Sequence, residues 1–168
     1  MTYLDLAKKR YSVRDYLPTR VEDEKIASIV EAGRVAPTAA NLQPVKLVIL
    51  DTEEKLSKVS RGANLYGAPL AIVVCADHAQ AWQRPFDEKR TTDIDATIVT
   101  DHMMMEATDL GLGTVWICYF DPSVIAKELD LSEGLEPINI LAIGYSNESA
   151  ASPERHATER KSTNELII

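Results

Sequence analysis

Two arginines flank a serine near the start of the chain, as Arg10, Ser12 and Arg14 in the segment R-Y-S-V-R. A guanidinium group presents a planar fork of donors that matches a phosphate, and a serine hydroxyl adds a neutral hydrogen bond. If the first helix continued through this segment, the i, i+4 spacing would place both arginines on one face. A solvated charged turn has the same residue types. The pattern leaves an anion site and a charged turn as open alternatives.

A second candidate is the loop from Pro37 to Pro44, with the sequence P-T-A-A-N-L-Q-P. Small residues between two prolines favour a rigid, shallow loop. The side-chain amides of Asn41 and Gln43 both donate and accept hydrogen bonds, so they can recognise a flat heterocycle that carries both kinds of group. Asn and Pro are also common in ordinary turns, and the loop taken alone indicates no more than a turn.

The segment G-L-G-T, from Gly111 to Thr114, follows a predicted helix and precedes a predicted strand. A dinucleotide-binding fingerprint needs the reverse order, a strand first and a helix after it. Gly111 is expected to end the helix, and Gly113 would let another group approach the backbone closely. Trp82 and Arg84 lie in a polar loop, where a tryptophan is either a hydrophobic plug or part of a lid over a pocket.

Other patterns that carry chemistry are absent from the sequence. There is no G-x-S-x-G elbow and no Walker-type loop, and His78, His102 and His156 lack a metal-binding spacing, so no metal site is expected. Cys75 and Cys118 are too few for a disulfide framework. No apolar run approaches the length of a membrane span. We therefore expect a protein of the reducing cytoplasm.

The chain has 168 residues and a net charge of −8, from 18 Lys and Arg against 26 Asp and Glu. This length suits a single domain over residues 1–168. The acidic total argues against nucleic acid or an anionic membrane surface as a partner. The basic residues nevertheless gather at the two ends of the chain. Near the C-terminus they are Arg155, His156, Arg160 and Lys161.

Hydrophobic periodicity and end signals predict helices mixed with short strands. The predicted helices are 2–10, 22–35, about 93–110, and short ones that begin near Asp51 and at Pro122. The predicted strands are 45–51, 70–76, 114–120 and 138–145. The pattern favours an α+β or α/β fold with four or five strands. Residues from about 147 to 168 form a polar, irregular extension with an apolar end, which we expect to pack on a partner subunit.

Three motifs in this order resemble the nitroreductase family of flavin enzymes. They are R-Y-S-V-R-D-Y, E-A-G-R-V-A-P-T-A-A-N-L-Q-P and A-T-D-L-G-L-G-T-V-W-I, followed by the basic tail. The resemblance implies an α+β fold whose central, mainly antiparallel or mixed sheet of four to five strands is flanked by helices. It also implies an intertwined homodimer that holds one FMN in each of two sites at its interface.

The resemblance assigns roles to residues of this chain. For the flavin phosphate and ribityl chain it implies Arg10, Tyr11 through its backbone, Ser12, Arg14 and Arg160, the last preferred to Arg155 and Lys161. For the flavin ring it implies a loop of the other subunit, with Pro37, Thr38, Ala39, Asn41 and Gln43. Backbone contacts at the ring edge would come from Gly113 and from Thr114 or Trp116. The substrate pocket would include Trp82 and Arg84.

The implied activity is hydride transfer from NADH or NADPH through FMN to a nitroaromatic, a quinone or a similar flat acceptor, in a ping-pong sequence. No side chain is expected to be catalytic, since the flavin carries the chemistry. Val45 stands where many members have a tryptophan, which leaves the acceptor open. The alternatives are a specialised flavin enzyme that acts on one metabolite and a non-catalytic dimer that binds or stores FMN.

Overall fold

The computed structural model describes all residues, 1–168, and shows an α+β fold. The helices are α1 (Tyr3–Lys9), α2 (Asp23–Val35), α3 (Glu53–Val59), α4 (Thr92–Asp109), α5 (Pro122–Glu128), α6 (His156–Glu159) and α7 (Thr163–Leu166), with short 3₁₀ turns at Ala39–Asn41 and Pro153–Arg155. The strands are β1 (Val45–Leu50), β2 (Leu70–Asp77), β3 (Gly113–Ile117) and β4 (Leu135–Gly144). No helix combines the length and the apolar character that a membrane crossing requires.

The four strands form one sheet in the order β1-β2-β4-β3, and every neighbouring pair is antiparallel. The predicted α+β class and a mainly antiparallel sheet are therefore confirmed, with four strands. β2 lies inside the sheet, and its residues from Leu70 to Ala76 are buried. An unbroken apolar run is the pattern expected of a strand that is covered on both faces.

Each face of the sheet packs against its own helices. One apolar cluster joins α2 and α4 to the sheet through residues such as Ile29, Met103 and Leu141. The other joins α3 and α5 to the opposite face through Val59, Ile125 and others. The burial of two separate faces explains why helices flank this sheet on both sides.

The end of α4 follows the predicted signal. Gly111 has a φ of +80°, its N–H donates to the carbonyl of Thr108, and the N–H of Leu112 donates to the carbonyl of Ala107. This pair of hydrogen bonds is the Schellman motif, in which a residue in the left-handed region ends the helix. Glycine suits that position because it has no Cβ to clash.

Several predicted boundaries were wrong. β4 begins at Leu135 rather than at residue 138, so Pro137 lies inside the strand. The strand accommodates this proline beside a β-bulge, where the register of β2 against β4 shifts by one residue between Val74 and Cys75. β3 ends at Ile117 rather than at residue 120.

The predicted irregular extension instead contains the short helices α6 and α7. Its first part contacts the chain's own N-terminal region, since Arg155 donates to backbone carbonyls of residues Lys8 and Arg10. Its apolar end is exposed: the exposed fraction is 71% for Leu166 and 69% for Ile167. The structure contains one chain, so packing of this end on a partner stays a prediction.

Candidate functional site

Three arginines lie together where the end of α1 meets the C-terminal extension. Arg10 caps the C-terminus of α1 and is half-buried. Arg155 donates from Nη2 to the carbonyl oxygen of Arg10 at 2.6 Å, and from Nη1 to the carbonyl oxygen of Ser152 at 2.8 Å. Arg160 follows α6 as its C-cap and is exposed.

The electrostatics of this arginine cluster (Arg10, Arg155 and Arg160) are those of an anion site. Burial lowers the pKa of Arg10, and the positive charges of Arg155 and then Arg160 lower it further, with Asp101 opposing them. None of the three arginines forms an ion pair with a carboxylate. Since like charges repel at close range, a bound anion would stabilise the cluster.

The two arginines of the R-Y-S-V-R segment do not lie on one helical face, because α1 ends at Lys9 and the next residues pair with β3 instead. Ser12 forms a parallel bridge with Thr114, and the N–H of Val13 donates to the carbonyl of Thr114 at 2.9 Å. The Arg14 guanidinium lies over the ring of Tyr66, 5.9 Å from its centroid. The side-chain contacts of Arg14 therefore differ from those of the arginine cluster.

Tyr11 uses its side chain for structure. Its hydroxyl is 3.0 Å from the Ser146 Oγ atom, and its ring packs on the core next to α3 and α5. This leaves the backbone of Tyr11 as the part that could serve a ligand, as the resemblance implies.

The loop at 37–43 has an unusual backbone. Ala40, Asn41 and Gln43 all have φ between 51° and 55°, a region in which non-glycine residues are uncommon. The Gln43 N–H donates to the Thr38 hydroxyl at 3.1 Å, and the Ala39 N–H donates to the Asp95 carboxylate at 2.8 Å. The side chains of Asn41 and Gln43 are exposed, so their amide groups are available to a ligand.

The structure identifies what approaches Gly113 so closely. A Cβ built at this position would lie 2.6 Å from the Cγ2 atom of Val13 in the same chain. Gly113 is therefore required for the packing of the Arg10–Arg14 segment against β3. Thr114 is buried, and its carbonyl already accepts the hydrogen bond from Val13. The Thr114 hydroxyl, by contrast, is buried without a hydrogen-bond partner in the chain.

Trp82 and Arg84 form no hydrogen bond with the arginine cluster or with the loop at 37–43. Arg84 forms a bidentate pair with Asp87 in its own loop, which raises the pKa of the Arg84 guanidinium. Trp82 is half-buried, and its carbonyl accepts from the N–H of Thr91 at 3.0 Å. Neither residue lines the large cavity of the chain.

That cavity, of about 1450 Å³, opens between the segment before β2 and the loop after β3. Tyr66, Tyr119 and Phe120 contribute aromatic surface to it, and Arg20 and Arg61 contribute charge. None of these residues was predicted from the sequence to be functional. The available signal in the sequence was the adjacent aromatic pair Tyr119 and Phe120 at the end of a predicted strand. In the structure Tyr119 is almost wholly exposed, at 97%, and exposed apolar surface often marks a binding site.

Sequence reasoning also missed Asp95, the buried acceptor for the loop at 37–43. An acidic residue in the first turn of a helix is usually an exposed complement to the helix dipole, so the sequence carried no sign of its burial. In the structure, no group of His, Cys, Asp and Glu is arranged to hold a metal ion.

The chain is similar to known proteins both in sequence and in structure. The profile described as "Nitroreductase family" matches residues 7–61 and 53–145. A solved structure of a nitroreductase family protein from Clostridium difficile 630 is 49% identical, has a TM-score of 0.98, and the match covers 100% of this chain and 98% of that one. An FMN-dependent nitroreductase from Clostridium difficile R20291 is 29% identical with a TM-score of 0.75, covering 95% and 97% of the two chains. The FMN reductase (NAD(P)H) of Bacillus subtilis is 27% identical, covering 94% of this chain and 71% of that protein.

Proposed function

The chain belongs to the nitroreductase family, and from this premise we propose that it is an FMN-dependent oxidoreductase that transfers hydride from NADH or NADPH to a nitroaromatic, a quinone or a similar flat acceptor. The observation that carries the proposal is the cluster of Arg10, Arg155 and Arg160, which has no carboxylate partner. A phosphate group supplies the negative charge and the acceptor oxygens that such a cluster lacks.

The residues present fit an FMN phosphate. Arg155 is already engaged with three carbonyl oxygens, two of them in the N-terminal region. Arg10 and Arg160 donate no side-chain hydrogen bond within the chain, so their guanidinium groups are free to bind the phosphate. We therefore assign the phosphate to Arg10 and Arg160 and a supporting role to Arg155. The guanidinium of Arg14, over Tyr66 at the cavity, would serve the ribityl chain or the ring.

The loop at 37–43 fits a heterocycle, because it exposes the amide groups of Asn41 and Gln43 on a backbone that is fixed by internal hydrogen bonds. No hydrogen bond joins this loop to the arginine cluster within one chain. We propose that the loop completes the site of a second copy in a homodimer. The exposed apolar side chains of Tyr3, Leu4 and the C-terminal end of the chain support such an association.

The chemistry that FMN supplies when bound is hydride transfer, from the nicotinamide donor in one half-reaction and to the acceptor in the other. The chain's own residues bind and orient. Arg10 and Arg160 hold the phosphate, the loop at 37–43 contacts the ring, and the aromatic wall at Tyr66 and Tyr119 offers a surface for a flat acceptor. We place this enzyme in the cytoplasm, a proposal supported by two free cysteines and the absence of a disulfide.

The test is purification followed by anaerobic mixing with NADH or NADPH. We expect a yellow protein that releases FMN on denaturation and whose flavin absorbance is bleached rapidly by one of the two donors. A colourless protein that also fails to bind added FMN would refute the proposal. FMN that is held but bleaches no faster than free FMN would indicate a storage protein, and bleaching without turnover of nitroaromatics or quinones would indicate an enzyme specialised for another acceptor.

A further inference from the structure

Asp95 is a completely buried carboxylate that has no basic partner. It lies in the first turn of α4, its exposed fraction is 0%, and it forms no ion pair. Burying an unpaired charge is costly unless hydrogen bonds and dipoles compensate for the lost water. The N-terminal end of α4 compensates in part, since the helix dipole favours a negative charge there.

The hydrogen bonds of Asp95 connect two segments that are distant in sequence. Its Oδ1 atom accepts from the Ala39 N–H at 2.8 Å, and its Oδ2 atom accepts from the Thr91 hydroxyl at 2.9 Å. The N–H of Thr91 in turn donates to the carbonyl of Trp82 at 3.0 Å. The carboxylate thus ties the loop at 37–43 to the start of α4 and to the segment that carries Trp82.

The loop depends on such an anchor because its backbone is not one that its sequence prefers. Ala40, Asn41 and Gln43 occupy the left-handed region without being glycine. Such conformations persist where the surrounding structure fixes them. The Ala39 N–H opens the 3₁₀ turn, so the bond to Asp95 holds the chain directly before the first of these residues.

We infer that Asp95 is a positioning residue for the flavin site: it holds the loop at 37–43 in the conformation that contacts the FMN ring. This inference rests on the proposed function, because it assigns the loop to FMN. The action is through two hydrogen bonds rather than through charge. An asparagine would preserve both, since its Oδ1 can accept from Ala39 while its Nδ2 donates to the Thr91 hydroxyl, which then donates to the Trp82 carbonyl at 3.3 Å.

The experiment compares Asp95→Leu and Asp95→Asn with the matched control Thr100→Val. Thr100 is also wholly buried on α4 and hydrogen-bonded, but to Ala96 and Asn139 rather than to the loop. The readouts are the Kd for FMN, from quenching of flavin fluorescence, and the thermal unfolding of the apoprotein. The inhibition constant of inorganic phosphate against FMN binding reports separately on the arginine cluster.

We expect Asp95→Leu to raise the Kd for FMN at least tenfold while the phosphate constant stays within threefold of wild type. Asp95→Asn should stay within threefold in both, and Thr100→Val should lower the unfolding temperature without changing the Kd. Equal FMN affinity of wild type and Asp95→Leu would overturn this inference alone. So would an Asp95→Asn or Thr100→Val chain that loses as much affinity as Asp95→Leu. A wild-type chain that binds no FMN would overturn the proposed function and this inference with it.

If the Asp95→Leu chain does not fold, hydrogen exchange of the Ala39 amide decides the question. We expect this amide to be protected in wild-type apoprotein and in Asp95→Asn, because both accept its hydrogen bond. Exchange at the rate of a free loop amide in the wild type would overturn the inference.

Discussion

Replacing Arg160 by alanine should weaken FMN binding without weakening the fold. Arg160 is exposed and makes no hydrogen bond in the chain, whereas its charge contributes to the repulsion that lowers the pKa of Arg10. Loss of a hydrogen bond to a charged group costs about 1.5–3 kcal/mol. At 1.4 kcal/mol for each factor of ten, the Kd for FMN should rise about 10- to 150-fold. Because Arg160 is exposed, we expect the lower end of this range.

Arg155→Ala is the informative contrast, because the two arginines differ in what they contact. Arg155 bridges the carbonyls of Lys8, Arg10 and Ser152, and the bond to Arg10 is partly buried. Leaving a buried acceptor unpaired costs about 1–3 kcal/mol, so the unfolding temperature should fall by about 2–12 °C. The apoprotein of Arg160→Ala should instead unfold within about 0.5 kcal/mol of wild type.

The assay is a fluorescence titration with FMN at two salt concentrations, paired with urea unfolding of the apoprotein at a fixed protomer concentration. Lys161→Ala removes the same charge from the adjacent position and is the matched control. Arg160→Ala should also flatten the salt dependence of the Kd, since an exposed charge is screened by salt. An unchanged Kd in Arg160→Ala, or a loss that Lys161→Ala reproduces, would refute the assignment of the phosphate to Arg160.

Two further predictions concern packing and thiol chemistry. Gly113→Ala should lower the free energy of unfolding by about 1–3 kcal/mol, because the new Cβ would lie 2.6 Å from Val13. The double variant with Val13→Ala should lose less stability than the sum of the two single variants, whereas strictly additive free energies would show that the two side chains do not collide. Only one thiol per folded chain should react with a disulfide reagent at pH 8, because Cys118 is exposed whereas burial raises the pKa of Cys75 to about 12. A second fast-reacting thiol, or a reaction that persists in Cys118→Ser, would contradict this prediction.

The parts of the fold that could be predicted from the sequence are those with local causes. The glycine at residue 111 ends α4 as predicted, since the Schellman motif involves only neighbouring residues. The apolar run of β2 marked a strand whose two faces are covered, and the structure buries it completely from Leu70 to Ala76. In each case the residues that determine the conformation lie close to it in the sequence.

Features that depend on distant contacts could not be predicted. α1 ends at Lys9 because the residues that follow it pair with β3 at Thr114. The types of residues 10–14 do not indicate that Thr114 lies beside them. The same limit hid Asp95, whose role is set by a loop more than fifty residues earlier in the chain. Gly113 was recognised from the sequence as a place of close approach, but the sequence did not identify Val13 as the group that approaches it.

The arginines of the chain differ in whether their side chains are engaged by other residues. Arg20, Arg34 and Arg84 pair with acids three residues away in sequence. In a chain with 26 acidic and 18 basic side chains, carboxylates outnumber cations, yet Arg10 and Arg160 form no ion pair. The effects of Arg155 and of Arg160 on the pKa of Arg10 are each larger than the opposing effect of Asp101. At physiological salt, charges interact over about 8 Å, so the net charge of −8 does not prevent a phosphate from reaching this cluster. At the proposed phosphate site, the local arrangement of cations therefore outweighs the total charge.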